Sequence, residues 1–421
     1  MISLSQLVWA FARIGLLSFG GPAAQIVVMH DTLVKDRKWL TEAEFLRALS
    51  FCMMLPGPEA MQLCTYAGWR LRGTLGGVIA GVLFVLPGAL VVGALTAGYL
   101  RFGALPDVQA AFLGVKAAVL VIVALALRRL AAKTLNGTMA RLLAFGAFSG
   151  LFFFQIPFPV ILAVAAGVGA IWSAPQVTHS DPPAAVPLRD TAKRIAVWGA
   201  VWIVPLAAVT LAFPQTVLPD IAVFFSWLAV ITFGGAYAVL AYMAQVAVEG
   251  QGWLTAAQMV DGLGLAETTP GPLILVTLFV GIMAGAQTWG MGLAAGLVTL
   301  WATFAPCFLW IFAGAPYIER LAHATRLQGA LAGVSAAVVG VIANLSLWFA
   351  LNVLFEGGAR VQWGLIRVWA PDMAAFIPQA LVLAGFAAAV MAWRGWGLAR
   401  ALPACALAGW VFGALMGGAS A

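Results

Sequence analysis

Leu55-Pro56-Gly57-Pro58-Glu59 returns 214 residues later as Thr269-Pro270-Gly271-Pro272-Leu273. With that offset held, Phe11 to Pro58 aligns with Phe225 to Pro272 without a gap. The identities include Phe19-Gly20-Gly21 with Phe233-Gly234-Gly235, and Trp39-Leu40-Thr41 with Trp253-Leu254-Thr255. Proline, glycine and tryptophan are the residues that a generic apolar side chain replaces least well, so an apolar composition alone does not produce these matches. The chain reads as two copies of one unit, 1–172 and 195–421, joined by the polar, proline-rich run 173–194.

The chain has 421 residues, 63% of them apolar and only 9% charged, which lies far outside the composition of a soluble domain. A hydrocarbon core of about 30 Å needs about 20 apolar residues per helix, and about ten to twelve such stretches fit. They include 75–99, 106–127, 195–213, 220–247, 271–286, 289–314, 329–354, 374–393 and 397–418. The expected fold is therefore an all-α polytopic membrane protein of two homologous repeats with proline- and glycine-broken helices. No lysine-rich run precedes the first helix, which is expected to stay in place. The net charge of +7 comes from basic residues scattered through short loops, a positive-inside pattern rather than a nucleic-acid face. Cys52, Cys64, Cys307 and Cys405 lie in apolar surroundings without a C-x-x-C pair and are expected to pack.

Local punctuation repeats with the unit. The first helix, 4–29, is broken at Ser18-Phe19-Gly20-Gly21-Pro22, where proline removes a donor and glycine loosens the turn. Thr41 with Glu44 makes a capping box and Leu40 with Phe45 a hydrophobic staple; Thr255 with Gln258 and Leu254 with Met259 repeat both. The helix that follows the cap is short for a crossing and reads as re-entrant or half-crossing, and Pro58 starts the next helix toward Trp69. The stretch 141–172, interrupted by Pro157 and Pro159, is either one bent span or two short ones. Window 35–47 holds Lys35, Arg37, Lys38 and Arg47, whereas window 249–261 holds no basic residue and carries Glu249 and Asp261. Since basic residues favour the cytoplasmic side, equivalent loops are expected on opposite faces, an inverted-topology repeat.

The residues argue against soluble-enzyme chemistry. His30, His179 and His323 fall in no metal-ligand spacing, and no lysine follows a glycine, which excludes a P-loop. No catalytic set, metal or cofactor is expected. A broken helix exposes N–H groups and the positive end of its dipole, an anion site that needs no charged side chain. Gly20, Gly21, Pro56, Gly57 and Pro58, with Gly234, Gly235, Pro270, Gly271 and Pro272, are expected to form such a site where the two copies meet. Arg13 and Lys116 at membrane depth either complement the anion or serve as a snorkelling or ion-paired cation. Glu59 and Glu267 are the candidates for carrying a proton; the alternatives are helix N-terminal stabilisation for Glu59 and a solvated loop for Glu267. The partners expected are a small oxyanion and the lipid bilayer, not nucleic acid, with a homodimer left open.

These motifs resemble the chromate ion transporter family in its long, two-half form. The resemblance is carried by Gly15 to Pro22, Met29-His30, Phe51 to Glu59, Tyr66-Ala67-Gly68-Trp69, Leu83 to Gly88, Phe233 to Tyr237 and Gly262 to Pro272. It implies a multi-pass carrier of the bacterial inner membrane that exports chromate, confers chromate resistance and draws on the proton motive force or the membrane potential. Chromate is a tetrahedral dianion close to sulfate in shape, so a sulfate or other anion exchanger or channel on the same fold is the alternative, and a polytopic membrane enzyme the reading from another class. Ala236 stands where the first copy has Pro22, so the two breaks differ in detail.

Overall fold

A computed structural model describes residues 2–19, 21–172, 187–233, 236–318, 324–364 and 366–417. The expectations for Gly20, Gly234, Gly235 and the run 173–186 lie outside the described residues. The first half runs α1 (Leu4–Leu17), α2 (Gly21–His30), a π-turn (Asp31–Asp36), α3 (Glu42–Cys52), α4 (Glu59–Phe102), α5 (Pro106–Thr134), α6 (Thr138–Phe152) and α7 (Phe158–Trp172). The second runs α8 (Leu188–Ala212), α9 (Leu218–Ile231), α10 (Ala236–Ala244), a π-turn (Gln245–Gly250), α11 (Ala256–Thr268), a 3-10 turn (Leu273–Leu275), α12 (Val276–Ala284), α13 (Trp289–Gly314) and α14 (Thr325–Leu354). A hairpin of β1 (Gly358–Trp363) and β2 (Ile366–Pro371), then α15 (Pro378–Ala388) and α16 (Leu398–Gly417), close the described chain. The hairpin is an addition to the expected helices, and the last residues of the expected linker already belong to α8.

The repeat extends to individual backbone hydrogen bonds. The two π-turns stand 214 residues apart, like the sequence motifs. After the first, Arg37 N–H donates to Thr32 O and Trp39 N–H to Leu33 O; after the second, Gln251 donates to Val246 O and Trp253 to Ala247 O. Both turns then need a positive φ, met by Lys38 at 52° and Gly252 at 63°. The caps form as the residues dictate: Thr41 and Glu44 bond reciprocally, as do Thr255 and Gln258. Each cap satisfies backbone donors that the first helical turn leaves without partners.

Breaks also decide how many helices can cross a membrane alone. Among the described residues six are long and apolar enough, namely α4, α5, α8, α13 with its 3-10 extension, α14 and α16. The expected ten to twelve spans resolve into these and a set of shorter apolar helices, because the same proline and glycine signals that mark the repeat cut the apolar runs. The stretch 220–247 is divided at Thr232, and 141–172 becomes α6 and α7 with Gln155 at φ 51° between them. At 1.5 Å per residue the eleven-residue α3 is about 16 Å long, half of a crossing. Even α4 is two helices, interrupted by non-helical Arg72 and Gly73.

The chain forms two compact units, each drawing on both halves: 1–94, 170–239 and 269–331 in one, 95–169, 240–268 and 332–421 in the other. In the first unit α13 packs against α8, α9 and α12, and Phe11, Phe45, Phe51, Phe84, Phe225, Phe279 and Phe312 are fully buried. Arg37 lies over the rings of both Trp9 and Trp39, at 5.5 and 4.7 Å, an arrangement suited to the headgroup level where aromatic and basic side chains gather. In the second unit α5 is the central helix, packed on α16, α15 and α11. Ala118, Ile122, Ala387, Val390, Ala401, Leu402 and Cys405 form its core, a close contact of small residues of the kind that joins helices in lipid.

Candidate substrate site

Both Pro-Gly-Pro turns fall in the first unit, and the backbone explains their composition. Gly57 has φ +117° and Gly271 φ +90°, values that a side chain disfavours. Proline on either side stops one helix and sets the angle for the next. The turn glycines are then used reciprocally: Gly57 N–H donates to Thr232 O at 2.8 Å, and Gly271 N–H donates to Ser18 O at 2.8 Å. Ser18 and Thr232 are equivalent positions at the two helix breaks. Their carbonyls, released by the break and buried, would otherwise have no partner in an apolar medium. Each copy thus closes the other's break. The hydroxyls bond back along their own helices, Ser18 Oγ to Ile14 O at 2.6 Å and Thr232 Oγ1 to Leu228 O.

Two buried glutamines brace the turns. Gln25 Nε2 donates to Gly271 O at 2.7 Å and Gln62 Nε2 to Pro56 O at 2.6 Å, while neither Oε1 has a hydrogen-bond partner. Between the turns lies a cavity of about 20 Å³ that Gln25, Gly57, Pro58, Glu59, Thr232 and Pro272 help to line. Ala60, Leu273 and Ile274 also border it, so the start of α4 and the 3-10 turn that precedes α12 face it. Helix starts supply unpaired N–H groups and positive potential, which suits an anion. A cavity of this size holds about one water, so a tetrahedral oxyanion requires the turns to separate. Separating the turns deprives the Ser18 and Thr232 carbonyls of these partners, so water or the ion must take their place.

Of the residues singled out in the sequence, Pro56, Gly57, Pro58, Glu59, Pro270, Gly271 and Pro272 belong to these turns and helix starts, and Gly21 opens α2 at φ +82°. Arg13 does not line the cavity; it is exposed on α1 with its guanidinium 5.6 Å from the centre of the Trp9 ring. Lys116 belongs to the second unit, where its ammonium is 3.2 Å from Asp261 Oδ1, and Tyr99 donates to Asp261 Oδ2 at 2.8 Å. Asp261 is 5% exposed, so the carboxylate is held by a cation and a phenol in place of water. Glu267 follows on the same helix and is 6% exposed, a buried acid rather than a loop one. Sequence reading missed Gln25, Gln62, Tyr99 and the pairing of Asp261. The offset offered no signal for the two glutamines, since Val239 and Val276 occupy their equivalent positions. In the sequence Asp261 stands out only by its charge in the loop comparison, whereas it lies inside α11.

The family model described as chromate transporter matches residues 5–170 and 219–411. The chain is 34% identical over 347 residues to a chromate transport protein of Pseudomonas aeruginosa, covering 81% of this chain and 80% of that one. It is 33% identical over 352 residues to a chromate transport protein of Cupriavidus metallidurans, covering 81% of each. An uncharacterized transporter of Methanocaldococcus jannaschii is 25% identical over 351 residues, with 82% of this chain and 84% of that one covered. No solved structure matches the chain.

Proposed function

Because the chain belongs to the chromate transporter family, we propose that this multi-pass membrane protein exports chromate across the bacterial inner membrane, coupled to the proton motive force, and thereby confers chromate resistance. The observation that carries the reading is the reciprocal pairing of the two turns with the two helix breaks, Gly57 to Thr232 and Gly271 to Ser18. The start of α4 and the 3-10 turn before α12 face one small cavity there, and a tetrahedral oxyanion is the ligand whose charge and hydrogen-bonding capacity match a helix start. The two halves, 1–172 and 195–421, are proposed as inverted repeats about that site, with Gly20, Gly234 and Gly235 as part of its glycine lining. Transport separates the turns on one side at a time.

Glu59 lies in the first turn of α4 and lines the cavity. Ionised, it occupies the helix-start potential and repels an anion; protonated, it leaves that potential to the substrate. Proton and oxyanion are then carried together. A dianion leaving with one proton moves one net negative charge outward, so a cytoplasm-negative potential drives export at about 2.3 kcal/mol per 100 mV. The pH gradient opposes the proton's part, which makes the potential the driving component. Glu267 and the Lys116–Asp261 pair are the further titratable groups available to this cycle.

Uptake of labelled chromate into energised inside-out vesicles tests the reading, with sulfate as competitor. Accumulation is expected to collapse when the interior-positive potential is abolished and to survive removal of the pH gradient alone. Uptake no greater than that of vesicles lacking the protein would overturn it, and strong sulfate competition would mark the site as one for tetrahedral oxyanions in general.

A further inference from the structure

Another cavity, open to the surface, lies in the second unit and has a volume of about 100 Å³. A cavity of this size holds several waters, or one tetrahedral oxyanion. It is built by the link between α6 and α7 with the adjoining helix ends, by α10 and the second π-turn, by α14, and by β2. They contribute Gln155, Gln245, Asn344, Glu249 and Arg367, together with an aromatic flank that includes Trp348.

We infer that this cavity is a second oxyanion site, with Arg367 as its cation and Gln155, Gln245 and Asn344 as its amide donors. The ligand class rests on the oxyanion reading above, whereas the position rests on this cavity alone. Arg367 is exposed at the rim of the cavity and has no carboxylate within ion-pair distance among the described residues, although Glu249, also exposed, lines the same cavity. Its charge is therefore available, and its planar fork matches the oxygens of a tetrahedral anion.

The backbone around the cavity is specialised in three places. Gln155 is held at φ 51°, one of two non-glycine residues with positive φ among those described, and such strain persists where the surroundings impose it. The backbone N–H of Arg367 donates to Phe153 O at 2.8 Å, tying β2 to the link that carries Gln155. Gln245 and Glu249 sit on a π-turn, a rare geometry that turns side chains off the regular helical register. In the equivalent turn of the first half, the corresponding residues Asp31 and Lys35 neutralise each other at 2.8 Å. The second half has no such pair at these positions, and its two side chains line a cavity instead.

A tetrahedral oxyanion group reaches such a site either as a free ion or as a lipid phosphodiester. Chromate absorbs where indole emits, so its binding to the purified full chain in detergent is read as quenching of Trp348 and Trp369, which both line the cavity. The component lost in Trp348→Phe isolates the local signal, and displacement by sulfate or by phosphatidylglycerol separates the two sources. Arg367→Gln is expected to weaken the local binding tenfold or more, with partial recovery in Arg367→Lys. Displacement by sulfate assigns the site to the free ion, and displacement by phosphatidylglycerol alone assigns it to a lipid phosphate. Equal local binding in wild type and Arg367→Gln, or none in either, overturns the site. Arg367-dependent binding in a protein that fails to accumulate chromate in vesicles would uphold this site and sink the transport reading. Normal accumulation without such binding would do the reverse.

Discussion

At the scale of single residues, Gly57 and Gly271 carry the most consequence per atom. A Cβ on Gly57 would stand 2.9 Å from Gln62 Nε2 and 3.2 Å from Cys307 Sγ, on a backbone at φ +117°. On Gly271 the nearest atom would be the Cδ1 end of Leu275 at 3.0 Å, which can rotate away. Gln62 has no comparable freedom, because its amide is fixed to Pro56 O. Gly57→Ala is therefore expected to destabilise the protein by about 1–3 kcal/mol, more than Gly271→Ala, and to reduce chromate uptake. Thermal unfolding of the two variants in detergent checks the order; a Gly57→Ala protein melting like wild type would mean that the turn relaxes to another backbone. Lys116 makes a different point at this scale. Its sequence position suggested an anion partner, and the structure supplies a carboxylate of its own chain, Asp261.

At the scale of elements, the capped α3 is the clearest case of local sequence writing local structure. Thr41 Oγ1 accepts from Glu44 N–H at 3.2 Å, and Glu44 Oε2 accepts from Thr41 N–H and its hydroxyl, each at 2.9 Å. The Thr41 backbone N–H, followed by its hydroxyl, holds the Glu44 carboxyl below its ordinary value of 4.5. A carboxyl depressed in the folded state adds stability above its unfolded pKa, and that stability is lost as pH falls through the folded value. Thr41→Ala is expected to cost about 1 kcal/mol at neutral pH. The difference in melting temperature between variant and wild type should shrink as the pH falls through the depressed value of the folded carboxyl, because the hydroxyl's bond to the ionised Glu44 is lost there. A difference independent of pH would assign the loss to the bond that the hydroxyl accepts from Glu44 N–H rather than to the one it donates to the carboxylate. The same cap in the second half uses Gln258, which has no charge to titrate, so its contribution is expected to be flat with pH.

At the scale of the whole molecule, repeat and compact unit do not coincide. The repeat is continuous in sequence, but the first unit takes the two helix breaks and both Pro-Gly-Pro turns from different halves, and the second takes Lys116 from one half and Asp261 from the other. This interleaving follows if each half cannot satisfy its own broken helix and must borrow the partner's turn. The inverted orientation proposed for the halves is open to direct measurement. Cys52, Cys64, Cys307 and Cys405 are all buried, which leaves a quiet background for labelling. Arg37→Cys and Gln251→Cys, at equivalent turns, are expected to react with an impermeant maleimide from opposite faces of the membrane. Reaction from the same face would make the repeat a parallel one.

The sequence by itself determined the membrane class, the two copies, the helix caps and the positions of the breaks. Each of these follows from composition or from a few neighbouring residues: apolar runs set by the bilayer, Thr-x-x-Glu set by orphan N–H groups, Pro-Gly-Pro set by dihedral limits. Only the tertiary structure decided that Gly57 answers Thr232 and Gly271 answers Ser18, that Gln25 and Gln62 hold the turns, and that Lys116 is paired with Asp261. Those pairings join residues far apart in the chain. A buried polar group in an apolar medium must find a partner, but the sequence does not say which one; the packing of the helices does.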